Sequence, residues 1–158
     1  MLGSIENVVV LDIETTINAP SPHFGASPAY PDNRAVMYGY RLLYGEPETK
    51  TTTDFNEIAE AILVPKDTLL VGHNLSFDLY YLLNMAERVN RTDFLNKTFY
   101  VWDTQKFYYM QTGRATVSPS LEFVAEAMSV PFKKDVEIKE RFNAGIGSDK
   151  IDDELLAD

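Results

Sequence analysis

The chain has 158 residues, 45% hydrophobic and 24% charged, which is enough for one domain with a sizeable core and excludes a disordered tail or a small disulfide-stapled scaffold. Its 14 Lys and Arg face 24 Asp and Glu, a formal charge of -10, so no broad basic surface can hold a duplex by phosphate neutralisation. The absence of Cys excludes thiolate zinc sites and a cysteine nucleophile, and the two histidines, His23 and His73, lie too far apart in sequence to suggest a metal cage. Oxygen ligands remain. The apolar stretches fall short of the ~20 residues that span a bilayer. Met1-Leu2-Gly3-Ser4 lacks the basic and apolar regions of a signal peptide, so a cytoplasmic protein without membrane attachment is expected.

The run Asn7-Val8-Val9-Val10-Leu11 predicts a strand buried on both faces, closed by Asp12-Ile13-Glu14. Residues 18–33 hold four of the eight prolines and predict a long loop. Residues 35–44 and 49–53 flank Gly45-Glu46-Pro47 and predict a hairpin whose polar second strand lies near a sheet edge. Asp54-Phe55-Asn56-Glu57 has capping-box spacing and predicts a helix to about residue 63. A short strand over 68–71 then feeds a helix through Gly72-His73-Asn74, with Phe77, Tyr80, Tyr81, Met85 and Val89 at helical spacing. Residues 98–102 predict a third buried strand ending in Asp103, followed by an aromatic helix around Phe107 to Met110 that stops near Gly113. Ser118-Pro119 is expected to cap a helix through Leu121, Val124, Ala125 and Met128, and the charged tail after Pro131 is expected to be helical in pieces. Strands and helices in this order form an α/β domain, with no internal repeat and no linker over residues 1–158.

The acids carry the chemistry. Residues two apart in a strand point to one side, so Asp12 and Glu14 can face one point. Asp78 lies in the first turn of the helix after the second apolar strand, and ligands of α/β sheets bind beyond the carboxyl ends of strands. Carboxylates packed together repel, and a hard divalent cation resolves the conflict; oxygen ligands suit Mg²⁺ or Mn²⁺, two of which about 3.5–4 Å apart clamp phosphodiesters. Each residue also has a bland role. Asp78 can favour the helix dipole and Asn74 can cap the helix. Asp103 is expected to make turn hydrogen bonds and His73 structural ones, the stripe Phe107, Tyr108, Tyr109 to be core, and Lys133-Lys134 to be solvated.

Taken together, Val-Val-Val-Leu-Asp12-Ile-Glu14-Thr15-Thr16 and Gly72-His73-Asn74-Leu-Ser-Phe77-Asp78 resemble the first two motifs of the DEDD 3′-5′ exonuclease superfamily, which includes the proofreading domains of DNA polymerases. The resemblance extends to Trp102-Asp103-Thr104 and to Ser120-Leu121-Glu122-Phe123-Val124-Ala125. It implies a ribonuclease H-like mixed sheet flanked by helices, and two-metal removal of nucleotides from single-stranded 3′ ends of DNA, with RNA open. It also implies a polymerase domain as a partner. By that resemblance Asp12 bridges two Mg²⁺ or Mn²⁺ ions, Glu14 binds the nucleophile-side ion and orients the water, and Asp78 serves the second ion. Thr15, Asn74 and Phe77 are the expected substrate contacts, with Phe77 and the loop over 17–33 gripping the terminal nucleotide.

One departure stands out. The family's third motif, Tyr or His followed by x-x-x-Asp, is missing: neither residue lies four positions before Asp152, Asp153 or Asp158. The chain reads as a piece that stops just before that motif, or as a product that borrows the remainder. A phosphatase of the haloacid-dehalogenase type would match Asp12-Ile-Glu14-Thr15-Thr16 superficially, but prefers Asp at the second acid and needs a Gly-Asp pair that occurs nowhere here. The nonenzymatic alternative is an exonuclease-like domain kept as a structural or single-strand-binding module.

Overall fold

The computed structural model describes residues 5, 7–20, 25–43, 47–64, 67–113, 119–131, 140, 144 and 148–151. The predicted first strand is β1 (Asn7–Thr15), which runs past Asp12 to Thr15. It pairs antiparallel with β2 (Ala35–Leu42), which pairs antiparallel with β3 (Glu48–Thr52). On its other side β1 pairs parallel with β4 (Thr68–Gly72), which pairs parallel with β5 (Tyr100–Asp103). The order β3-β2-β1-β4-β5 is a mixed α/β sheet flanked by helices, as expected, with the polar hairpin strand at one edge.

Val9, Leu11, Ile13 and Leu70 meet Phe55, Ile58 and Ile62 of α1 (Phe55–Leu63), Leu75, Leu82 and Ala86 of α2 (Leu75–Arg88), and Phe94 of α3 (Thr92–Leu95) in one buried cluster. Each such large side chain contributes roughly 1.5–3 kcal/mol by leaving water. Along β1 every second residue from Asn7 to Thr15 is buried; on the other face Val8, Val10 and Glu14 are half-buried and Asp12 is exposed, which corrects the expectation of a strand buried on both faces.

Other expectations also change. Asp54 caps α1 by accepting from the Asn56 amide at 2.9 Å, but Glu57 does not close a capping box; it accepts from the Tyr40 hydroxyl at 3.2 Å. The core face of α2 is Leu75, Asp78, Tyr81, Leu82 and Ala86, so Tyr80 and Val89 are exposed. The apolar stripe read from sequence was rotated because one core position holds an acid. β5 is an edge strand with Val101 and Trp102 exposed, not a buried one. The aromatic helix, α4 (Thr104–Thr112), ends at left-handed Gly113 as predicted but buries none of its residues fully. α5 (Leu121–Ala127) starts two residues later than expected, capped by Ser120, whose hydroxyl accepts from the Phe123 amide at 3.2 Å. α3 had no sequence signal strong enough to predict it. Ser118, Lys133, Lys134 and most of the tail lie outside the described residues.

The turn from β4 into α2 depends on Gly72. A Cβ there would lie 2.8 Å from Leu75 Cδ1 and 3.1 Å from the Leu11 carbonyl oxygen, and that backbone oxygen belongs to the central strand. Gly72→Ala is therefore expected to lower stability by about 1–3 kcal/mol. Urea unfolding measures it, and an unchanged midpoint would contradict the close approach.

Candidate active site

β4 pairs with β1 only over Asn7 to Val10, whereas β2 follows β1 as far as Thr15. Beyond Val10, one edge of β1 is therefore left for the chain that leaves β4. α2 enters there, and Asp78 Oδ1 accepts the Ile13 amide hydrogen at 3.1 Å. The carboxylate takes the place of a missing strand partner. Asp12 and Glu14 flank Ile13 in sequence and alternate to the other face of the strand, so all three predicted acids gather at the carboxyl ends of β1 and β4.

Their environments differ. Asp78 is 4% exposed, and burial, followed by the charge of Asp12, pushes its carboxyl up to about 8. Its bond from Ile13 opposes the rise and the charge of Asp103 adds to it. Asp12 is exposed, and half-buried Glu14 accepts from the Ser148 hydroxyl at 2.9 Å. Ser148 is itself 1% exposed in the short turn Ser148–Lys150, which packs against β1. Nothing local in the sequence marks this contact, because the partners are 134 residues apart.

Asn74 is exposed at the start of α2 in a left-handed conformation, φ 58°, and its side chain makes no cap bond. Phe77 is half-buried and packs edge-on against Tyr81 with centroids 5.2 Å apart. Thr15 is buried, next to the Tyr81 hydroxyl, and is not presented with Asp12 and Glu14. The proline-rich loop is fastened along one side of α2: Tyr81, Asn84 and Arg88 donate to the carbonyls of Ala26, Pro28 and Pro31 at 2.8, 3.0 and 3.2 Å. Buried Asn33 ties the loop internally, donating to Gly25 and Ser27 and accepting from the Asn18 amide and the Thr16 hydroxyl.

Asp103 has the hydrogen-bonding role expected of it. Burial alone would raise its carboxyl, but Lys106, through its ammonium and its amide, and the Asn74 amide hold it below the usual carboxylate range. The His73 ring lies between the Thr104 hydroxyl (3.0 Å) and the Pro119 carbonyl (2.8 Å), a structural placement.

In donor type the three acids fit a hard cation, and the burial and the repulsion from Asp12 that raise Asp78 are what such an ion would offset. In spacing they are not yet a cage: among the described residues no group of three Asp, Glu or His stands ready to hold an ion. No protein-family model and no curated protein matches this sequence. Among the described residues no helix is long and apolar enough to cross a membrane.

The raised carboxyl has a thermodynamic sign. Folding makes Asp78 hold its proton more tightly, so its contribution to stability is complete below the unfolded value of 3.8 and is lost as pH rises to about 8. In chelator, the stability of the wild type should fall over this window. Asp78→Asn, which keeps an acceptor for Ile13, should show a flatter curve and exceed the wild type at the alkaline end by roughly 1–3 kcal/mol. Thermal unfolding across pH reads this, and parallel curves would contradict it.

Proposed function

We propose that this chain is a metal-dependent 3′-5′ exonuclease that removes nucleotides from single-stranded 3′ ends of DNA, with RNA ends an open alternative. The observation that carries the reading is buried Asp78 at the Ile13 amide where β1 outruns β4, within electrostatic reach of Asp12, with Asp12 and Glu14 flanking Ile13 on β1. Asp12, Glu14 and Asp78 would hold two Mg²⁺ or Mn²⁺ ions, which supply a nucleophilic water and neutralise charge on the scissile phosphate. The protein groups hold geometry. Asp78 is held in place by its bond from Ile13, and Glu14 must exchange its contact with Ser148 for the ion. Phe77 on α2 and the exposed Asn74 just before that helix would meet the terminal nucleotide. A polymerase domain is the fitting source of such 3′ ends.

The overall charge of -10 fits this local, ion-dependent mode of contact better than extended binding to phosphates. A second reading, a single-strand-binding module without turnover, is favoured by two observations: no ready-made ion cage among the described residues, and a Glu14 engaged by Ser148. The two readings separate in one experiment. Digestion of a 3′-labelled single-stranded oligonucleotide in Mn²⁺ by the full-length protein should proceed from the 3′ end, stop in excess chelator, and fall at least about a hundredfold in Asp12→Ala and Asp78→Ala. Tight oligonucleotide binding in chelator, with no release of nucleotides in Mn²⁺, would establish the module instead.

A further inference from the structure

The turn that delivers Asp78 is held from outside its own segment. Four consecutive residues, Gly72 to Leu75, are bonded by the dipeptide Asp103-Thr104 at the junction of β5 and α4. Thr104 Oγ1 donates to the Gly72 carbonyl at 3.1 Å and meets His73 Nδ1 at 3.0 Å. Asp103 Oδ1 accepts the Asn74 amide and Oδ2 accepts the Leu75 amide, both at 3.1 Å. The same carboxylate caps α4 through the Gln105 and Lys106 amides at 2.9 and 3.3 Å, and pairs with the Lys106 ammonium at 3.1 Å. The Asp103 side chain is only 8% exposed.

The first turn of α2 lacks a cap of its own. The Asn74 side chain caps no helix amide, its Oδ1 accepting only from the Ser76 hydroxyl at 3.5 Å, and its left-handed backbone turns two successive amides toward one point, the concave arrangement that binds an anion. Asp103 is the anion at that point. We infer that Asp103 and Thr104 are positioning residues that set the entry of α2 against β1 and thereby place Asp78 at the Ile13 amide. The inference rests on the exonuclease reading for its kinetic consequence but not for its geometric one. Gly72 approaches β1 too closely to bear a Cβ, and Asp78 follows Leu75 by less than one helical turn, so rotation of the turn is passed to the carboxylate with little slack. Charge-assisted bonds from a carboxylate to backbone amides are among the stronger ones, which suits this role.

Asp103→Asn retains the shape and one acceptor oxygen, and Thr104→Val retains the shape and neither hydroxyl contact. Both are expected to fold. Each should lower kcat for 3′ digestion by about tenfold to a hundredfold, leave KM for the oligonucleotide within about threefold, and raise the Mn²⁺ concentration needed for half-maximal rate. Thr104→Ser, which restores the hydroxyl, should recover most of the rate. Ile62→Val, a core change remote from the turn, should lower stability comparably without the loss of kcat. Amide hydrogen exchange gives a reading independent of turnover: in both variants Asn74, Leu75 and also Ile13 should exchange faster, with Val9 and Leu70 unchanged. Faster exchange at Ile13 in a protein without metal-dependent turnover would uphold the positioning and overturn the exonuclease reading. Turnover in the wild type with unchanged kcat and unchanged Ile13 exchange in both variants would overturn the positioning alone.

Discussion

The hydrogen bond from the Ile13 amide to the Asp78 carboxylate is the constraint on which the candidate site depends. β1 continues beyond the point where β4 leaves it, and a buried strand edge without partners is costly. A carboxylate on α2 closes that edge. Doing so brings an acid into a core position between Leu75 and Leu82, where solvent cannot moderate its charge. The surrounding apolar contacts hold α2 in place despite that burden, and the same arrangement puts Asp78 beside Asp12.

Two aspartates at this end of the sheet illustrate how environment assigns a role to one residue type. Asp78 has burial and the charge of Asp12 against it, and its carboxyl is pushed up to about 8. Asp103 is also partly buried but is met by an ammonium and by several amides, and its carboxyl is held low. The first is an acid that a cation would welcome and the second is an acid already satisfied. A pair of titratable groups driven apart by their surroundings is a pattern of functional sites.

Much of the framework was legible because it rests on local rules. The apolar run before Asp12, the hairpin with its polar edge strand, the Asp54 cap and the stop at Gly113 all follow from alternation, capping and glycine chemistry. The spacing of Asp12 and Glu14 also placed them on one face. What escaped the sequence depends on tertiary contact. The face of α2 was misjudged because Asp78 occupies a core position that periodicity assigns to an apolar residue. β5 has the residues of an interior strand yet lies at the edge, which only the strand order reveals. Pro119 resembled a first helical residue, but its carbonyl is claimed by His73 and Gln105, and Ser120 caps the helix instead. The contact of Ser148 with Glu14, the fastening of the loop to α2, and the grip of Asp103 on another helix join residues far apart in the chain. The late acids Asp152, Asp153 and Asp158 lie outside the described residues.

The central claim is that the acids at the ends of β1 and β4 form one ion-binding centre. Paramagnetic broadening of backbone amide signals on titration with Mn²⁺ tests it most directly, since the effect is local to the bound ion and needs no substrate. The account predicts that Ile13, Glu14 and Asp78 broaden first, at Mn²⁺ concentrations that leave the exposed acids Glu60 and Asp93 untouched, and that Asp78→Asn abolishes this preference. Broadening spread evenly over the acidic surface, with no precedence at Ile13, would contradict it.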